Sequence, residues 1–118
     1  MNFKKSKKIA IPNNPPALGP GARHNYYDRQ GNQIKLMDWT KKFENLAYKQ
    51  VAITHLPDGK RVSTVWLGIN YTFNEKQILI FETMVFPKGT WGELDADRYS
   101  TELEAMFGHV KMVRKWLI

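Results

Sequence analysis

The sequence contains no cysteine, which excludes a disulfide framework, thiol catalysis and a cysteine-rich zinc site. Long apolar runs are missing as well. The longest, residues 78–86, is interrupted by Glu82 and Thr83 and falls short of the roughly 18 residues that a membrane span needs. Four prolines follow the basic N-terminus, where a signal peptide would need an apolar segment. We therefore expect neither a membrane span nor a signal peptide.

Acidic residues are absent from the first 25 positions, which hold five of the 18 lysines and arginines. The rest of the chain has 13 basic against 11 acidic side chains, so the net charge of +7 is concentrated near the N-terminus. Proline and glycine interrupt this stretch and prevent a helix or a central strand. We expect residues 1–24 to form a basic arm and residues 25–118 to form one compact domain.

The arm suggests one function, binding to nucleic acid or to another anionic surface. Lys4, Lys5, Lys7 and Lys8 are the candidate contacts. If these four lysines neutralise phosphates, the log–log salt slope should be about −3 to −4 for duplex DNA. The alternative is a solvated tail without a function of its own.

Hydrophobic periodicity predicts an α+β fold for the remaining residues. We expect an N-terminal hairpin, a three-stranded antiparallel meander and two helices that cover one face of the sheet. The turn signal Pro57-Asp58-Gly59-Lys60 links the first two strands of the meander. The predicted ranges are a hairpin at 26–34, helices at 37–47 and 101–117, strands at 49–56, 61–68 and 77–86, and a long loop at 87–99.

Both predicted helices carry an apolar stripe of the kind that packs against a core. Thr101 and Glu104 have the spacing of a capping box at the start of the second helix. The stripe of the first helix comprises Trp39, Phe43, Leu46 and Ala47, and that of the second comprises Leu103, Met106, Phe107, Val110, Val113 and Leu117.

Three motifs, VSTVWLG at 62–68, IFETMVF at 80–86 and RYST at 98–101 with Glu104-Ala105 and Gly108-His109, resemble a family of small bacteriophage and prophage proteins. The resemblance covers roughly residues 26–110. It carries no catalytic residue and no cofactor. It implies a phage accessory protein in the cytoplasm of a bacterial host, where such proteins inhibit a defence system or take over a host process.

Glu82 is the most informative single residue, because a carboxylate in an otherwise apolar strand is costly to bury without a partner. It either lies on an open sheet face, pairs with Arg61 or a lysine, or accepts hydrogen bonds from a ligand. The ligand hypothesis predicts a pocket lined by Arg61, Glu82, Trp91 and Arg98, with His109 as a further candidate. A nucleotide-type ligand would suit these aromatic and cationic side chains.

Two further interpretations, an enzyme and a metal site, depend on residues that are common in any sequence. Glu82 with His55 or His109 would supply the acid and base of a small metal-independent nuclease. Glu93, Asp95 and Asp97 alternate in the predicted loop, but their spacing matches no calcium motif and is typical of a solvated loop. We expect no metal and no cofactor.

The leading hypothesis is a non-enzymatic binding protein that blunts a host defence by capturing a nucleotide-type signal or by occluding a host protein. Nucleic-acid binding and the nuclease are the alternatives. A small domain with an open sheet face also gains by pairing, so we expect a homodimer or a higher homo-oligomer.

Overall fold

The computed structural model describes residues 26–70, 77–90 and 92–117. The predicted arm therefore lies outside the described residues. None of the helices formed by the described residues is long and apolar enough to cross a membrane. The elements in chain order are β1 (Tyr26–Tyr27), β2 (Gln33–Ile34), α1 (Leu36–Glu44), α2 (Leu46–Lys49), β3 (Gln50–His55), β4 (Arg61–Trp66), β5 (Phe81–Phe86), β6 (Asp95–Tyr99) and α3 (Glu102–Trp116).

The main sheet is an antiparallel meander in the order β3-β4-β5-β6, and β1 and β2 form the predicted separate hairpin. The α+β class is confirmed, but the predicted three-stranded meander is wrong by one strand. Residues 95–99, which we placed in a loop, pair with residues 81–85 as β6. Their sequence, DADRY, lacks the β-branched residues that mark a strand, and pairing with β5 overrides that weak propensity.

The turn between β3 and β4 forms as the sequence predicts. The backbone nitrogen of Leu56 donates to the carbonyl of Lys60, and that of Gly59 donates to the carbonyl of Leu56. Gly59 has a φ of +93°, which lies in the left-handed region that favours glycine. This turn sets the register in which His55 lies opposite Arg61.

The first predicted helix is divided in two at Asn45, whose side chain accepts a hydrogen bond from the backbone nitrogen of Tyr48 and caps α2. Trp39 and Phe43 pack against the core as expected. Leu46 is 68% exposed, so its predicted place on the buried stripe is wrong. The extended backbone of Asn45 interrupts the helix, so the single helical period assumed from the sequence does not continue through it.

Helix α3 begins at the predicted cap, where the Thr101 hydroxyl accepts a hydrogen bond from the backbone nitrogen of Glu104. It packs across all four strands of the main sheet. The residues buried on its sheet side are Ala105, Gly108, His109 and Met112. The expected core stripe is therefore largely on the wrong side: most of it faces away from the sheet, and only Val113 packs against a buried cluster.

Candidate functional site

Glu82 of β5 and Arg98 of β6 form a buried ion pair. They are register partners, and the Nε atom of Arg98 lies 2.9 Å from Oε2 of Glu82. Both side chains are only 4% exposed. The partner of Glu82 is thus Arg98 and not Arg61 or a lysine, which were the structural alternatives that the sequence suggested.

The second carboxylate oxygen of Glu82, Oε1, is buried without a hydrogen-bond partner among the described residues. Burial raises the pKa of Glu82 above its ordinary value, and the hydrogen bond and charge of Arg98 only partly oppose that effect. The nearby negative charge of Glu93 adds to the rise. Arg98 therefore compensates only in part for the burial of the Glu82 carboxylate.

The structure does not gather the other predicted ligand residues around this pair. Arg61 lies opposite Phe86, four residues along β5 from Glu82 and about 13 Å away at 3.3 Å per residue. Its guanidinium lies 5.2 Å from the centroid of the Phe86 ring. Trp91 lies outside the described residues, as do the four arm lysines. The ligand-binding role of these residues stays a prediction.

His109 lies on the opposite face of the sheet from Glu82. It projects from α3 towards the sheet, where its Nδ1 atom is 2.7 Å from the hydroxyl of Thr64. Thr64 in turn bonds Thr83, so Thr83 faces α3 and its neighbour Glu82 faces away. Glu82 and His109 therefore cannot act on one substrate as acid and base. The other candidate, His55, lies opposite Arg61 at the far end of the sheet from Glu82, so the described residues do not bring Glu82 together with either histidine.

A chain of hydrogen bonds crosses all four strands beneath α3. Thr54 of β3 lies 2.8 Å from Nε2 of His109, and the Thr64 and Thr83 hydroxyls are 2.5 Å apart. Tyr99 of β6 extends the chain through a hydrogen bond with Thr83. Burial, followed by the charge of Asp97, raises the pKa of Tyr99 to about 12, so its hydroxyl stays protonated. This polar layer holds α3 in one position on the sheet.

Folding stability should depend on pH through His109, because burial lowers its pKa below the usual 6.5. Below about pH 6.5 the unfolded chain takes up a proton at His109 that the folded chain resists, so stability is lost at up to about 1.4 kcal/mol per pH unit. We expect urea unfolding of the wild type to show this loss between pH 7 and 5.5. His109→Gln, which retains one donor and one acceptor, should show less of it. Equal pH dependence in the two proteins would contradict the assignment.

A shallow groove of about 250 Å³ lies between β6 and α3. Asp95 forms part of one wall, and its carboxylate accepts hydrogen bonds from Nζ of Lys115 at 2.6 Å and from the indole of Trp116 at 3.0 Å. Burial alone would raise the pKa of Asp95, but these two hydrogen bonds, with the charge of Lys115 and a backbone hydrogen bond from Ala96, lower it overall. Asp95 and Asp97 belong to a paired strand, so their predicted place in a solvated acidic loop is wrong. The groove is lined by two acids and two lysines, Asp95, Asp97, Lys111 and Lys115. Their charges balance, so the groove has no net charge that would favour binding of an anion or a cation.

The outer surface of α3 carries an exposed apolar stripe, which we call the α3 stripe. Its five members are half or more exposed: Leu103 (64%), Met106 (51%), Phe107 (66%), Val110 (51%) and Leu117 (51%). None of them belongs to either buried cluster formed by the described residues. An exposed patch of this kind, on a helix fixed by a capped N-terminus and a buried polar layer, is typical of a protein-contact surface.

Comparison of the chain with protein-family models, with curated proteins and with solved structures finds no significant match. The candidate sites consequently rest on the geometry of this chain alone. Sequence reasoning identified Glu82 as unusual, but it placed the α3 stripe against the core and missed both Arg98 as the partner and the hydroxyl layer below α3. The alternation of β4 and β5, which points Thr64 and Thr83 to one face, is the signal that could have located that layer.

Proposed function

We propose that the protein is a non-enzymatic binding protein that inhibits a host process, in particular an anti-phage defence, by covering the surface of a host protein. The observation that carries this proposal is the α3 stripe. Five large side chains at about 100 Å² of exposed area each give roughly 500 Å², which is the size of the largest patch on a typical monomer and is often functional. The phage setting rests on the motif resemblance.

The spacing of the α3 stripe indicates the chemistry of the partner. Leu103, Met106, Phe107 and Val110 occupy positions i, i+3, i+4 and i+7, which are the anchors that a helix inserts into an apolar groove. Arg114 stands exposed next to the C-terminal half of the stripe. The partner that fits is a protein with a hydrophobic groove and acidic side chains at one end of it.

The geometry favours this protein-contact version over capture of a nucleotide. Ligand capture requires Glu82 and Arg98 to be reachable, whereas both side chains are 4% exposed and bonded to each other. Two surface cavities of the described residues, of about 400 and 250 Å³, are lined by other residues. Calorimetry with cyclic and ADP-ribose-type nucleotides is expected to give no heat. Heat that disappears in an Arg98→Met variant would revive the nucleotide proposal.

Truncation of the α3 stripe should abolish binding to the host protein. The partner is captured from bacterial lysate on the wild-type chain, identified, purified and titrated by calorimetry. We expect Phe107→Ala to weaken the complex at least about 30-fold, since the loss of a central aromatic anchor costs 2 kcal/mol or more. Thermal unfolding should be unchanged because Phe107 is exposed.

The matched control is Met37→Ala, because Met37 is 69% exposed on α1 and lies away from α3. Binding that survives Phe107→Ala and a Leu103→Ala/Val110→Ala pair, or that is lost in the Met37→Ala control, would contradict the role of the α3 stripe. Failure to capture any protein that depends on the stripe would count against the proposed function as a whole.

A further inference from the structure

We infer that the α3 stripe is covered by a second copy of the chain when the host protein is absent, through antiparallel two-fold pairing of two α3 helices. This inference rests on the proposed function, since it concerns the same surface and explains how the surface is protected before use. An apolar patch left open on a small protein is a liability for aggregation. A weak homodimer removes that liability and still allows exchange.

The first observation is the spacing of apolar residues along the helix. Leu103, Met106, Val110 and Leu117 of the α3 stripe lie at positions i, i+3, i+7 and i+14, while Val113, at i+10, packs against a buried cluster. That pattern places them on one seam of a helix, which is the arrangement by which two helices pack side by side. The seam spans nearly the whole of α3, and its midpoint is Val110.

The second observation is the distribution of charge beside the seam. Glu104 lies in the first turn of α3 and Arg114 in its last turn, whereas Glu102 pairs with Arg29 and Lys115 pairs with Asp95 of the same chain. An antiparallel arrangement centred near Val110 brings Glu104 of one copy towards Arg114 of the other, twice by symmetry. A parallel arrangement would instead set like charges beside each other. The helix dipoles also favour the antiparallel arrangement.

The third observation is the area of the surface. Pairing two patches of roughly 500 Å² buries about 1,000 Å² in total, at the lower limit for a specific interface. A contact of that size is weak and reversible, so we expect a dissociation constant in the micromolar range. A host protein with a deeper groove would then displace the second copy.

Light scattering on the wild-type chain tests the pairing. The molar mass is expected to rise from 13.8 kDa towards twice that value as the concentration increases from about 1 μM to about 500 μM. Val110→Glu, which sets two carboxylates together at the axis, should remain monomeric. Met37→Glu, an exposed position on α1, should dimerise like the wild type. A wild type that stays monomeric throughout, or a Val110→Glu variant that dimerises normally, would overturn the inference.

The absence of cysteine from the chain allows a direct test of orientation. In the antiparallel dimer a short bis-maleimide should link Val110→Cys to itself. It should not link Leu103→Cys to itself, because these two sites lie about 20 Å apart at 1.5 Å per residue. Mixing Leu103→Cys with Leu117→Cys should give a heterodimeric product. Equal self-linking at positions 103 and 110 would indicate a parallel pair and reject the proposed geometry.

The two proposals fail separately. A wild-type monomer that still binds a host protein through Phe107 would reject the dimer and leave the proposed function standing. An α3-dependent dimer that no host protein displaces would confirm the second copy and count against host occlusion. If the Val110→Glu variant still dimerises, the contact between the two copies lies outside the α3 stripe and the inference is rejected.

Discussion

Replacing Arg98 by methionine is expected to lower the free energy of unfolding by about 3–5 kcal/mol, the range found when one partner of a buried ion pair is removed. The reason is the carboxylate that remains. Glu82 is nearly inaccessible to water, and one of its oxygens already lacks a hydrogen-bond partner among the described residues. Without Arg98 the charged form would have no compensation inside the sheet, and a buried unpaired charge is among the costliest defects in a fold.

Urea unfolding of three variants checks this expectation. Arg61→Met is the matched control, because Arg61 lies on the same sheet face but is only half-buried, and its loss should cost about 1 kcal/mol or less. The double variant Glu82→Met/Arg98→Met should recover most of the loss, since it removes both charges and fills the space with apolar atoms. A single Arg98→Met variant as stable as the control would contradict the account of the pair.

The cost of Arg98→Met should also depend on pH with a defined sign. Burial already raises the pKa of Glu82, and removing Arg98 raises it further. A carboxyl whose folded pKa is raised contributes stability that is present below its unfolded pKa, about 4.3, and is lost as the pH rises through the folded pKa. The variant should therefore approach the wild type in stability as the pH is lowered, and a gap that widens in acid would be contrary to this explanation.

Local signals in the sequence predicted those parts of the fold that depend on neighbouring residues. The turn at Pro57–Lys60, the hairpin at Tyr26–Ile34 and the cap at Thr101 each require only a few adjacent side chains, and the structure has all three. Strand β6 was missed because its residues acquire their conformation by pairing with β5, a contact that the sequence of 95–99 does not announce.

The candidate site shows the same division. Glu82 stood out because a charge in an apolar strand requires a partner, but its partner lay in a segment taken for a loop. His109, a candidate ligand residue from the sequence, lies on the buried side of α3 with Ala105 and Met112. The sequence predicts that the apolar stripe packs against the core, because large apolar residues are usually buried. Which side of α3 contacts the sheet is seen only in the structure.

A Gly108→Ala substitution should show why α3 packs on the sheet with the side that carries Gly108. Helix propensity alone predicts that alanine would stabilise the interior of α3 by about 1 kcal/mol. A Cβ atom at position 108, however, would overlap the ring of Tyr99. Tyr99 is 2% exposed and its hydroxyl is hydrogen-bonded to Thr83, so the ring has little room to move. We expect the overlap with Tyr99 to outweigh the gain in helix propensity. The free energy of unfolding, measured in urea, should therefore fall by about 1–3 kcal/mol.

A double-mutant cycle with Tyr99→Ala separates the two effects. In that background the ring is gone, so Gly108→Ala should be neutral or stabilising, and the two substitutions should couple strongly. If Gly108→Ala stabilises the wild type instead, the contact between Gly108 and Tyr99 does not limit the size of the side chain at position 108. The constraint matters because α3 turns Ala105, Gly108, His109 and Met112 towards the sheet, and Gly108 allows its close approach to Tyr99. The members of the α3 stripe are thereby turned outward, which is the arrangement that the proposed contact with a partner requires.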